Sequence, residues 1–224
     1  MSFRFSPKIV TDGLVLYLDA ANTKSYVSGS TSWNDLSRNN FNGSLINTPT
    51  FNSQNSGSIL FDGVDEYVNL GVVDIGITRD FTISFWANIT KNGAVEIFNR
   101  GYTPPDYGIY LAKLSNNKLT LQSFSVGTVD TNTTIVSGIT NYTVSRNNTN
   151  CSWYINGVLD KSQVVTSANI NQSNLKEWRI GSNFDTIRPT FGGNIYSFIV
   201  YNVGLTQQQV LQNYNTTKSR FGIL

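Results

Sequence analysis

Histidine is absent from all 224 residues, and cysteine occurs once. The first absence excludes every mechanism that needs an imidazole base or an imidazole metal ligand. The second excludes an intrachain disulfide. Cys151 sits in the apolar run Cys151-Ser-Trp-Tyr-Ile155 and reads as a small buried hydrophobe. Charge is also scarce. Sixteen Lys and Arg and fourteen Asp and Glu make up only 13 % of the chain, about half the usual share. The net charge is +2 and no basic run occurs, so the clustered cations that neutralise phosphates are missing, which argues against nucleic acid. No apolar segment is long enough to span a bilayer. The first seven residues have neither the basic head nor the apolar core of a signal peptide, so synthesis in the cytoplasm without membrane insertion is the expectation.

What is present is a large apolar and aromatic share: 39 % hydrophobic residues, with 13 Phe, 11 Tyr and 4 Trp. That suffices for a sizeable core, while Asn, Ser, Thr and Gln must carry solubility. The length fits one all-β domain over 1–224, with an N-terminal arm over 1–12 and a C-terminal helix and tail over 206–224. Leu14-Val-Leu-Tyr-Leu18 reads as a buried strand. Residues 20–51 are polar and turn-rich, a long excursion over the surface. In Phe81-Thr-Ile-Ser-Phe-Trp-Ala-Asn88 the alternation sets Phe81, Ile83, Phe85 and Ala87 on one face and Thr82, Ser84, Trp86 and Asn88 on the other. Further strands are expected over 95–100, 107–113, 118–124, 139–146, 152–155, 158–165, 178–180 and 195–201. Asn156-Gly157 signals a two-residue hairpin turn. Thr206 with Gln209 forms a capping box for one helix, with Val210, Leu211 and Tyr214 along one face. About a dozen strands and one helix describe an antiparallel two-sheet sandwich.

An ordered set of segments carries a family resemblance. They are Gly13-Leu-Val-Leu-Tyr-Leu-Asp-Ala20, Trp33-Asn-Asp-Leu-Ser37, Gly57-Ser-Ile-Leu-Phe-Asp-Gly63, Phe81-Thr-Ile-Ser-Phe-Trp86, Trp153-Tyr-Ile-Asn-Gly157 and the stretch 192–206. Together they resemble the concanavalin A-like lectin/glucanase superfamily in its laminin G-like, pentraxin-like subgroup, which implies a jelly-roll sandwich. The blocks 8–22 and 210–222 further resemble stand-alone laminin G-like proteins of tailed bacteriophages. That resemblance implies a virion component: a head decoration, head fibre or tail-associated adhesin. It would contact capsid or fibre proteins and a host surface glycan, and would assemble as a homo-oligomer.

The superfamily's hydrolases carry Glu-x-Asp-x-Glu or a similar set on one strand, which alternation gathers on one face. Here Glu66, Glu96 and Glu177 stand in separate segments, so no enzyme is expected. The resemblance implies a calcium site at Asp106, Asn183 and Asp185. A second acid set, Asp19, Asp35 and Asp62, reads either as a structural metal site or as caps for loop amides. Sugar recognition needs flat apolar faces beside short polar groups. Asn99, Arg100, Tyr102, Tyr107, Asn183, Phe184 and Arg188, in or beside the presumed binding turns, offer that mixture. Of the four tryptophans, Trp33, Trp153 and Trp178 read as packing residues. Trp86 alternates onto a polar face and therefore lines a concave face or lies under a covering segment.

Overall fold

The computed structural model describes residues 8–100, 108–123, 126–170, 176–182 and 190–223. In chain order the first strands are β1 (Leu14–Asp19), β2 (Ser32–Trp33), β3 (Gly43–Ile46), β4 (Thr50–Asn52), β5 (Ser58–Asp62), β6 (Tyr67–Gly71), β7 (Phe81–Ile89) and β8 (Val95–Asn99). Then come β9 (Tyr110–Lys113), β10 (Leu119–Ser123), β11 (Gly127–Asp130), β12 (Thr140–Asn147), β13 (Asn150–Ile155), β14 (Val158–Val164), β15 (Trp178–Ile180) and β16 (Gly192–Tyr201). One α-helix, α1 (Gln207–Thr217), follows.

The strands build two antiparallel sheets. Sheet A has the order β14-β13-β12-β7-β16-β5-β4, and β1 also pairs with β16. Strand β16 is long enough to serve two partners: Gly192–Ile195 pairs with β5, and Ser197–Tyr201 with β1. Sheet B has the order β11-β10-β9-β8-β15-β6-β3-β2. Between the sheets lies one continuous apolar core. A chain of rings crosses it: Phe85 stacks on Phe198 at 5.7 Å, Phe198 meets Phe98 of the other sheet at 5.1 Å, and Phe98 stacks on Trp178 at 4.9 Å. Each such buried ring contributes about 2–3 kcal/mol relative to exposure. Cys151 lies in the same core, where burial pushes its thiol pKa up to about 12. The sandwich expected from the residue pattern is the observed architecture.

The excursion over 20–51 is more ordered than its polarity suggests. It contains β2 and β3, and β4 begins at its end, because Gly43 and Leu45 alternate inward while Ser44 faces out. Asn156 and Gly157 both take positive φ, 51° and 74°, as the hairpin turn requires. The capping box forms: Thr206 Oγ1 accepts from Gln209 N at 3.3 Å, and Gln209 Oε1 accepts from Thr206 N at 2.9 Å.

The helix buries a different face from the one its apolar residues mark. Val210 and Asn213 are buried, whereas Leu211 is 42 % exposed. Asn213 wins its place by hydrogen bonding: its Oδ1 accepts from Val10 N at 2.8 Å, and its Nδ2 donates to the Tyr201 hydroxyl at 2.9 Å. Residues 210, 213, 214 and 217 then form one helical stripe against sheet A. Trp86 lies beneath it, stacked on Tyr214 at 5.7 Å and meeting Phe221 at 4.4 Å, while its Nε1 donates to Thr217 Oγ1 at 2.9 Å. The covering segment over Trp86 is the C-terminus of the same chain.

Candidate functional site

Strand register defines the outward face of sheet B. Core residues Val95, Ile97, Phe98, Leu111, Leu121 and Ile180 point inward. Strict alternation along β8 would place Asn99 with Val95 and Ile97, facing the core. A register shift between Glu96 and Phe98 changes this. Ile97 and Phe98 both turn inward, and Glu96 and Asn99 emerge on the same outward face. Bulges of this kind commonly re-aim side chains beside binding sites.

Two cross-strand rows follow from the pairing. The first runs Glu96–Ala112–Thr120–Asp130 over β8, β9, β10 and β11. The second runs Ser32–Ser44–Asn69–Arg179–Asn99–Tyr110–Gln122–Thr128 and crosses all eight strands. Every member of this second row can make hydrogen bonds. At about 4.8 Å per strand it extends roughly 34 Å, enough for several sugar rings.

The face is polar and partly unsatisfied. Asn99 and Thr120 are fully buried, yet Asn99 Oδ1, Thr120 Oγ1 and Asp130 Oδ1 are buried oxygens without a hydrogen-bond partner. Asn99 Nδ2 lies 3.5 Å from Glu96 Oε2. An unpaired buried acceptor costs about 1–3 kcal/mol, so three on one face call for donors from elsewhere. Toward the other end, Glu177 accepts from Arg179 Nε at 2.6 Å and from Asn69 Nδ2 at 2.7 Å. The Arg179 guanidinium lies 4.5 Å from the centre of the Tyr67 ring. No signal in the sequence alone marks Thr120, Asp130, Asn69 or Arg179; they emerge only once the strands are paired.

The residues singled out from sequence fall into three groups. Asn99 lies on the outward face, whereas Arg100 packs at the rim with its guanidinium 5.1 Å from the Trp178 ring and its Nε donating to Lys176 O at 3.3 Å. Burial lowers the Arg100 pKa from its ordinary value. Tyr102, Asp106, Tyr107, Asn183, Phe184, Asp185 and Arg188 lie outside the described residues. Their anchors are informative. Arg179 pairs with Asn99 and Ile180 with Phe98, and Gly181 N donates to Ile97 O at 2.9 Å. Ser182 is therefore level with Glu96, about 13 Å along the strand from Arg100.

The third group is Asp19, Asp35 and Asp62, which each have a local task. Asp35 Oδ1 accepts from Tyr17 N and Ser37 N, both at 2.8 Å. Asp35 Oδ2 accepts from Ser37 Oγ at 2.5 Å and Phe41 N at 3.1 Å. Four donors fill the four lone-pair sites of a carboxylate. Asp19 is paired with Arg220 at 2.6 Å and accepts from the Tyr17 hydroxyl at 3.1 Å. Asp62 caps Val64 N at 2.7 Å. Asp35 thus has no oxygen left for a cation. Among the described residues no three His, Cys, Asp or Glu side chains gather as metal ligands.

A laminin G-type family model, described as the concanavalin A-like lectin/glucanases superfamily, matches residues 62–211. The chain belongs to that superfamily. Among curated proteins none matches the sequence significantly. Solved structures share the fold at low identity. Domain 4 of AbnA, an extracellular arabinanase of Geobacillus stearothermophilus seen with arabinotriose, has a TM-score of 0.67 at 17 % identity, covering 92 % of this chain and all of that one. Trypanosoma rangeli sialidase gives a TM-score of 0.69 at 15 % identity over 98 % of this chain and 36 % of its own. The binding domain of Paraclostridial Mosquitocidal Protein 1 gives 0.67 at 18 % identity, over 91 % and 52 % respectively. The chain therefore spans about a third to a half of the sialidase and toxin chains. This is a lectin/glucanase-like carbohydrate-binding fold, whose structural neighbours include both binding domains and glycosidases.

Proposed function

We propose that this concanavalin A-like domain is a non-enzymatic carbohydrate-binding protein that holds a glycan along the outward face of sheet B. The observation that carries this reading is the set of unpaired buried acceptors on two neighbouring cross-strand rows of one face: Asn99 Oδ1 on the eight-strand row, and Thr120 Oγ1 and Asp130 Oδ1 on the four-strand row beside it. Sugar hydroxyls supply the donors these oxygens lack, and Tyr110 supplies an aromatic surface on the same face. Arg100 and the segments bearing Tyr102, Tyr107, Asn183, Phe184 and Arg188 extend the contact at the strand ends. If a calcium ion takes part, Asp106, Asn183 and Asp185 hold it.

The arrangement of acids supports binding without hydrolysis. Glu96 and Asp130 share a row but stand three strands apart, about 14 Å between backbones. Retaining and inverting glycosidases need carboxyl groups about 5–5.5 Å and 6.5–9.5 Å apart. Glu66 is tied to Asp62 N at 2.6 Å, and burial raises its pKa. Glu177 is tied to Arg179.

The resemblance of residues 8–22 and 210–222 to tailed-phage proteins supports a setting on the virion surface, as a decoration or fibre protein. Many copies on one particle would multiply a weak affinity. The test is a glycan array, with arabinotriose included, probed with wild-type protein and with Asn99→Ala. Retention by wild type and loss in the variant is the expected result. Attachment to empty capsids without glycan retention would replace this reading with a purely structural decoration role. Release of reducing sugar would contradict the non-enzymatic assignment.

A further inference from the structure

We propose a second carbohydrate subsite, selective for one neutral sugar ring, on the flank of the sandwich where β2 and β3 of sheet B part from β4 of sheet A. It does not depend on the sheet B face. A cavity of about 300 Å³ opens there, lined among others by Tyr26, Thr31, Leu45, Thr48, Thr50 and Phe51. That volume is at the lower end for small-molecule pockets, which suits one ring rather than a chain.

The lining has the two-sided chemistry of a sugar. Buried Tyr26, Leu45 and Pro49 form an apolar floor, and Tyr26 stacks on half-buried Phe51 at 5.4 Å. The Tyr26 hydroxyl is already used, donating to Ser30 O at 3.2 Å. The ring pair therefore offers carbon surface, not polarity. Around it stand the hydroxyls of Ser28, Thr31, Thr48 and Thr50, all on exposed residues and without a hydrogen bond among the described residues. Each can donate once and accept twice. No lining residue carries a charge. A uronate or sialate carboxylate would find no cation here, so the site discriminates in favour of neutral rings.

The backbone is arranged for this at a cost. Asn47 and Thr48 both adopt left-handed conformations, φ 61° and 65°. For β-branched Thr48 this is an outlier, and such strain is concentrated at ligand sites. It holds the Thr48 hydroxyl at the cavity, where an unstrained turn residue such as glycine would offer none.

The test is an amide-resolved NMR titration of the intact chain with methyl α-D-glucopyranoside, methyl α-D-mannopyranoside and methyl β-D-galactopyranoside, with methyl β-D-glucuronide as the charged comparator. Saturable shifts at amides 28–31 and 48–51 with at least one neutral glycoside are expected, and binding of the glucuronide at least about tenfold weaker. Phe51→Ala should abolish the shifts. Because that variant can disturb packing, Thr50→Val serves as the second: it keeps the shape, loses one hydroxyl and should weaken binding severalfold. The proposal is overturned by no saturable shift at these amides, by equal binding of the glucuronide, or by unchanged binding in Thr50→Val. Shifts confined to the Asn99–Asp130 face would overturn this subsite while supporting the sheet B face.

Discussion

The two sheets both carry polar residues on their outward faces, and the two faces differ in what satisfies them. On sheet A, Thr82 Oγ1 accepts from Leu205 N at 2.8 Å and lies 3.0 Å from both Ser145 Oγ and Val203 O. Ser145 donates to Leu205 O at 2.8 Å, and Ser84 bonds Thr143 at 2.7 Å. Residues 203–205 and α1 cover that face, and the hydroxyls of Thr82, Ser84, Thr143 and Ser145 all have partners in the chain. On sheet B, Asn99, Thr120 and Asp130 keep buried oxygens with none. A polar face whose buried groups pair within the chain is structural. A polar face with unpaired acceptors fits the face proposed above for a ligand. The difference teaches that hydroxyl-rich strands alone do not distinguish the two faces; the completeness of their hydrogen bonding does.

The largest effect expected from breaking this contrast is at the sheet A cover. Trp86 is 2 % exposed between Tyr214 and Phe221. Trp86→Ala should cost about 3–5 kcal/mol in chemical denaturation, with glycan binding of the remaining folded protein intact. Thr82→Val comes next. It strands Leu205 N and Val203 O and should cost about 2–3 kcal/mol, again sparing binding.

Alkali should loosen the same cover by a smaller amount. Burial raises the phenol pKa of Tyr201, whose hydroxyl donates to Val10 O at 3.1 Å, and also that of Tyr17, where nearby Asp19 adds to the effect. The folded state thus holds protons that the unfolded chain releases near pH 10. The contribution is fully present below pH 10 and declines as pH rises above it. At pH 11 each tyrosine should account for about 1 kcal/mol. Denaturation midpoints between pH 8 and 11 should fall, with a shallower slope in Tyr201→Phe.

Much of this fold was legible in the chain. Alternation in 81–88 identified the inward row, Asn156-Gly157 the hairpin and Thr206/Gln209 the helix start, because each is a local rule with a local cause. Trp86 on a polar face left two readings open, a concave face or a covering segment, and contacts with Tyr214, Thr217 and Phe221 decide for the cover. Leu211 misled, since a hydrogen-bonding Asn213 took the inward position that periodicity assigned to an apolar residue. The candidate face was scarcely legible. Its rows join residues as distant as Ser32 and Arg179, and a bulge in β8 reverses the side on which Asn99 would otherwise lie. Pairing and register are long-range facts that a single strand's pattern does not carry.

Thr120→Val gives the most direct test, because it removes one unpaired hydroxyl at nearly constant shape. Denaturation and glycan titration are measured on the same preparation, beside Thr82→Val. The account predicts stability within about 0.5 kcal/mol of wild type, or slightly higher, with glycan affinity clearly reduced. A loss of about 2 kcal/mol or more with affinity unchanged would show that this hydroxyl serves the fold, and would contradict the assignment of sheet B as the ligand face.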